Sequence, residues 1–558
     1  MIRLFATVCT VILFWVDILS ARDEPTTGSS LPNPQTQVDP WQILPLGLDP
    51  ARVIDLAIED GWRSNHVEPT SPVDDRAFLR RVFLDLVGRI PRASESRAFL
   101  AETHSKKREE LIDTLLASDE HAEHFAEILD ALLIGRTDVE QIRRRTKALW
   151  LEYLKRSVLE NRPWNEFARE TILARPADQR FKGASWYVYS RNNKPQDIAE
   201  SVSKDFFGVR IDCAQCHDHP LSSEIEQRHY WGLVAFFNRS KNVETADGPS
   251  VSESAIGGFS EFANLQGQSQ PNELVYLGDR KVDEDRPAKD VKEEDRDELY
   301  VSTQGASLKV PKFSRREQFV EKILNEHPLM ASAVVNKLWG WMMGRGLVHP
   351  VDTIDSYHPA SHPGLLDWLA RDFKHSGYNV RRLIKSLAMT RAYQLSSAQT
   401  KVVDPQWFSS ALPKPLTAEM LQRSFLVALE PTETERWNSL ESRAEFAKAF
   451  PDVLAEESIA NVSQGLLLTN GVSLNELVSV KHSELLKGIR SDLEHNKATS
   501  PIETAIKPMF ERLFGRLPDV DEANRCEAYL TERSDRLDQA IEGIAWALLT
   551  SSEFRFNH

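Results

Sequence analysis

The sequence predicts a mainly α-helical protein: two helical domains joined by a polar, partly disordered acidic linker. Three observations predict it. Apolar residues recur at helical spacing over two long stretches, composition changes sharply between them, and 558 residues exceed one ordinary core. With 41% hydrophobic and 27% charged residues, the chain reads as soluble and globular. Its formal net charge of −15 argues against nucleic acid or an anionic membrane surface as a partner.

At the N-terminus, Arg3, the apolar run Leu4 to Val16 and the small residues Ser20 and Ala21 predict a signal peptide over 1–21. Such a segment implies export to the periplasm, cell envelope or medium. No later stretch approaches about 18 uninterrupted apolar residues, so no membrane span is expected after signal removal. Residues 22–45, rich in Pro, Ser and Thr, read as a flexible tether.

Residues 46–240 form the first helical domain. In "DDRAFLRRVFLDLVG", Phe78, Leu79, Val82, Phe83, Leu86 and Val87 line one helix face. "REELIDTLLAS" and "EHFAEILDALLIG" repeat the pattern. His121 and His124, in "HAEHF", read as residues of a solvated face rather than as metal ligands. Residues 241–313 are rich in Gly, Ser, Asn and Gln, and 13 of the 16 residues from Asp283 to Glu298 are charged, which reads as a linker.

Helical periodicity returns over 314–558, the second domain. "GRGLVHPVDTIDSYHP" gathers Arg345, His349, Asp352, Asp355 and His358 in one loop, read as a hydrogen-bonded tie between helices or as a binding site. His358 and His362 read as turn and helix-start residues, with Ser361 as cap and Pro363 in the first turn. An internal echo links "LVGRIPRASESRAFL" and "LLASDEH" to "LFGRLPDVDEANRCEAYL" and "LLTSSEF", with a weaker copy in "LAMTRAY". Gly88 and Gly515 are expected helix C-caps, and the echo reads as a reused packing unit.

The sharpest chemical signal is "RIDCAQCHDHP". In C-x-x-C-H, two thiols add to the vinyl groups of haem and the histidine supplies the proximal iron ligand. Cys213, Cys216 and His217 would fill those roles. Two other readings stand beside it. One is a zinc or iron ion held by Cys213, Cys216, His219 and His229. The other is a Cys213–Cys216 disulfide. After signal removal the remaining cysteine is Cys526, read as a buried small hydrophobe.

"FFGVRIDCAQCHDHPLSSEIEQRHYWGLVAFF" and "FLRRVFLDLVGRIP" resemble the planctomycete-type cytochrome-c-like domain. "VVNKLWGWMMGRGLVHPVDTID", "SHPGLLDWLARDF", "TRAYQLSS" and "WALLTSSEFRFNH" resemble the C-terminal domain of unknown function that accompanies it. The resemblance implies haem c and electron transfer or a redox step with a partner in the cell envelope.

On that reading His219 is too near His217 to reach the opposite face of the macrocycle, since two residues span at most about 7 Å. His229, twelve residues on, is the possible distal ligand. An open site or a methionine from the C-terminal domain would serve instead; after Met1 the next methionine is Met330. The alternative function is a non-haem, metal-stabilised envelope binding or assembly protein without catalytic activity. No G-x-S-x-G, H-E-x-x-H, phosphate-binding glycine loop or calcium loop assigns a catalytic residue.

Overall fold

The computed structural model describes residues 41, 44–175, 181–246, 248–288, 291–301, 308–399, 401–495 and 500–558. The segment read as a signal peptide and most of the segment read as a tether lie outside them. The chain is mainly α, with short strands paired two by two.

Local signals set the helices. Asp74 accepts from the Ala77 amide to start helix Asp75–Val87, and Gly88, in the left-handed conformation, ends it. Ser118 caps helix Asp119–Leu133 in the same way. That helix packs on Asp75–Val87 and on Trp150–Leu159, and Trp150 donates to Asp130 inside the contact. Pro363 stands in the first turn of helix Pro363–His375 as expected, but the capping position belongs to His362, not Ser361.

The domain boundary differs from the one expected. A first core draws on residues from Val53 to Phe408 and takes in Leu454, so helices Pro328–Met343, Pro363–His375 and Val380–Met389 share it with the N-terminal helices. A second core holds residues from Leu416 to Phe554, joined by Leu84 and Ile90. Helical periodicity shows which face of each helix is apolar but not which partner that face meets, so the division near residue 410 carries no local mark.

The segment read as a linker is also different. Its described residues form four antiparallel hairpins: Ser240–Thr245 with Gly248–Glu253, Glu261–Ala263 with Ser269–Pro271, Leu274–Tyr276 with Arg280–Val282, and Tyr300–Val301 with Val310–Pro311. Few apolar side chains are needed to seat them. Val251, Phe262, Leu274, Val275, Tyr276, Leu277 and Val282 are buried. Tyr276 packs 4.8 Å from Phe207, ring to ring, and its hydroxyl bonds Ser203.

Two adjacent buried arginines fasten this region. Arg315 donates to the Ala235 and Gly258 carbonyls and pairs with Glu284. Arg316 donates to the Leu173 and Val251 carbonyls and pairs with buried Glu253.

The internal echo is one construction used twice. Arg89 clasps Glu95 and Glu120, and Arg516 clasps Glu522 and Glu553 at corresponding places. Gly88 and Gly515 both close the preceding helix at positive φ. The copies pack on each other: Arg80 donates to the Leu513 and Phe554 carbonyls, and Arg76 to that of Gly515. Arg423, from the second core, donates to the Gly88 carbonyl.

Candidate functional site: the Cys213–His219 turn

The approach to the motif is a tight wind of backbone. Helix Pro195–Val202 continues as a π-turn over Ser203–Phe207 and stops at Gly208, whose φ is +66°. A Cβ there would stand 2.9 Å from Ile354 Cδ1 and 3.2 Å from Ala333 Cβ, so both conformation and space call for glycine. Val209 and Ile211 are buried and anchor the chain just ahead of the cysteines.

Asp212–Gln215 is one turn of 3₁₀-helix. Cys213 lies in the turn and Cys216 follows as its C-cap residue, with its amide 3.5 Å from the Cys213 carbonyl, while Ala214 points inward. Ala214 is fully buried, and both cysteines are exposed and unbridged. The disulfide is therefore not formed in this structure. His217 Nδ1 lies 2.7 Å from its neighbour's carbonyl, that of Asp218, which fixes the proton on Nδ1 and leaves Nε2 as the free lone pair.

The other two histidines are spoken for differently. His219 Nδ1 accepts from the Ser222 amide at 3.0 Å and the Leu221 amide at 3.3 Å, shaping the turn at Pro220. His229 is held by both ring nitrogens. It is 2% exposed, its Nδ1 accepts from the Glu226 amide at 3.1 Å, and its Nε2 lies 3.2 Å from Asp279. Both ring nitrogens are bonded at the start of helix Gln227–Phe237, so ligation of a haem iron or a tetrahedral ion would have to break one of these bonds. Among the described residues, no group of three or more His, Cys, Asp or Glu side chains is arranged to hold a metal ion.

Several contacts around the turn had no signal in the sequence. The Gln215 carbonyl, inside the motif, accepts from Trp231 Nε1 at 3.1 Å and Gln227 Nε2 at 3.2 Å. Asp218 caps the same helix through the Gln227 amide. Glu224 accepts from the Ser356 amide and hydroxyl at 2.6 and 2.7 Å, and the Ile354 amide donates to the Gly208 carbonyl. These bonds tie the loop at 345–360 to the motif.

Within that loop, the polar residues pair rather than converge. Asn336 holds it through both the amide and carbonyl of Val348. Asp352 pairs with buried Lys337, His349 with Glu456, and His358 with Asp355. Burial lowers the Lys337 amine, but Asp352 and Asp205 beside it outweigh this and hold it above its ordinary value.

The donor set fits a c-type haem: two exposed, unbridged thiols three residues apart and an imidazole whose Nδ1 is held by a carbonyl. The site is a surface one. Cavities of about 700 Å³, beside Arg239 and Lys309, and about 400 Å³, beside Phe450 and Arg555, lie elsewhere.

Two parts of the chain match family models. Residues 53–242 match PSCyt2, a protein of unknown function (DUF1549), and residues 315–442 match PSD1, a protein of unknown function (DUF1553). Both are planctomycete-type domains of unknown function. No curated protein and no solved structure matched the chain. The second match begins at the buried Arg315 and reaches across both cores.

Proposed function

We propose that this chain is exported to the cell envelope and carries a haem c bonded to Cys213 and Cys216, with His217 as the proximal ligand, for electron transfer or a redox step with an envelope partner. The supporting observation is the turn itself, in which two exposed, unbridged thiols three residues apart are followed by an imidazole whose Nδ1 is held by a backbone carbonyl. Each thiol adds across one vinyl group: sulfur bonds one carbon, the thiol hydrogen goes to the other, and no oxidant is consumed. The group supplies a one-electron couple when bound. The chain's own part is to orient His217 through the Asp218 carbonyl, to hold the turn through Gln227 and Trp231, and to brace it from the far loop through Glu224 and Ser356.

A zinc or iron ion on the same thiols would take His219 instead and would have to draw His229 away from Glu226 and Asp279. Protein matured in a host that assembles c-type cytochromes separates the readings. The haem reading predicts a Soret band that survives acid–acetone extraction and is lost in His217→Ala and in the double cysteine variant. A colourless product whose bound zinc or iron is lost with His219→Ala overturns it.

A further inference from the structure

A cleft of about 400 Å³ lies where the two cores meet, within the size range of small-molecule sites. Leu454 from the first core and Leu416, Leu421 and Phe450 from the second are buried along it. Its charged end is Arg555, which backbone holds in place. The Arg555 carbonyl accepts from the Leu416 amide, its Nε donates to the Thr550 carbonyl at 3.0 Å, and the next residue, Phe556, pairs with Pro415. Among the described residues, no carboxylate pairs with the guanidinium, and its two terminal nitrogens make no hydrogen bond. Burial lowers this group, and no neighbouring carboxylate raises it back. Asp452, the carboxylate of the same cleft, instead accepts from the Ile459 amide at 3.4 Å. Two further lining groups, the Ser458 hydroxyl and the Gln464 side-chain nitrogen, also make no hydrogen bond among the described residues. A half-buried cation beside apolar walls has given up water without gaining a counter-ion, and an anionic ligand supplies one.

We propose that this cleft binds an apolar residue bearing a free α-carboxylate, as an acylated amino acid or the end of a peptide, with the carboxylate on Arg555 and the side chain against Leu421, Phe450 and Leu454. The guanidinium offers two parallel N–H groups to one carboxylate. Ser458 and Gln464 serve the amide that such a ligand carries beside its acid. Asp452 disfavours a second negative charge, so the fitting ligand is a monoanion. The site shares no residue with the Cys213–His219 turn and stands apart from the haem reading.

Calorimetric titration of the full-length protein tests it. The probes are N-acetyl-phenylalanine and N-acetyl-leucine, each set against its uncharged carboxamide, and the peptide Ala-Ala-Ala-Phe. The expected result is saturable binding of an acid, with its carboxamide weaker by about tenfold or more because a charge-assisted pair is lost. Arg555→Gln should weaken the acid by about the same factor and leave the carboxamide unmoved. Binding of the peptide more tightly than N-acetyl-phenylalanine assigns the site to peptide ends, and equal or weaker binding assigns it to free acylated amino acids. No binding of either acid or the peptide overturns the proposal. So does a carboxamide that binds as tightly as its acid, a comparison that needs no variant to fold. A folded Arg555→Gln chain that keeps the full affinity for the acid overturns it as well.

Discussion

Two stretches of this chain carry closely spaced histidines, and their surroundings are opposite. In helix Asp119–Leu133, His121 and His124 are buried, not on a solvated face as expected. His121 bonds the Leu86 carbonyl and His124 meets Arg423. Burial pushes His121 down to about 4, and burial with Arg423 beside it puts His124 well below its ordinary range. In the Cys213–His219 turn the imidazoles are half-buried, each with one nitrogen fixed by backbone. Spacing alone suggests ligands in both places. The distinction lies in whether a nitrogen is left over at an accessible surface.

The largest effect expected from breaking this contrast is on the buried side. Gly88 has φ +68°, and a Cβ there would meet His124 Nδ1 at 2.3 Å and Arg423 Nη2 at 2.7 Å. Gly88→Ala combines backbone strain with a clash against a locked ring, and should cost about 3–5 kcal/mol in denaturant unfolding. On the turn side, Gly208→Ala meets only the movable end of Ile354 and one methyl group, so about 1–3 kcal/mol is expected. Equal losses at the two glycines would remove the distinction.

Acid should act on the buried histidines next. Burial holds His121, His327 and His362 each at about 4, against an ordinary 6.5. Below about 6.5 the unfolded chain takes up protons that the folded chain refuses. Stability should therefore be flat in this respect above about 6.5 and fall by several kcal/mol between there and about 4. Urea midpoints across that range check the sign. Asp55 and Asp130, raised by burial to about 6, oppose this over the same range because the folded chain protonates them first. The sign is therefore read as the difference from a His121→Gln, His327→Gln, His362→Gln chain, and an acid dependence equal in the two chains contradicts the assignment.

The smallest effects belong to the motif. Cys213→Ser, Cys216→Ser and His217→Ala in the haem-free chain should each change stability by about 0.5 kcal/mol or less, because the thiols are exposed and His217 is only half-buried. Glu224→Ala, which unties Ser356, should cost about 1 kcal/mol. A large loss from the cysteine variants would make the turn a structural centre.

How much of this was legible depends on the range of each interaction. Helix Asp75–Val87 and its stop at Gly88 were readable because cap, apolar face and C-cap are all local. The spacing of CAQCH is local in the same way. The burial of His121 and His124 was missed, because two histidines three apart on a helix do not show which neighbour that face meets. The hairpins at 240–311 were missed because three-residue strands show no period and their seats, Arg315 and Arg316, act through the fold. The ties from Gln227 to Ala263 and from Glu224 to Ser356 join residues 36 and 132 positions apart, and no spacing rule reaches that far.

The central claim is that Cys213 and Cys216 bond a haem. Intact-mass measurement of the full chain, matured alongside c-type cytochromes and denatured before measurement, tests it most directly. The account predicts a chain heavier by the mass of one haem, with the addition mapping to the peptide that contains Cys213 and Cys216 and absent from the double serine variant. A chain at its unmodified mass, from a host in which other c-type cytochromes are loaded, would contradict it.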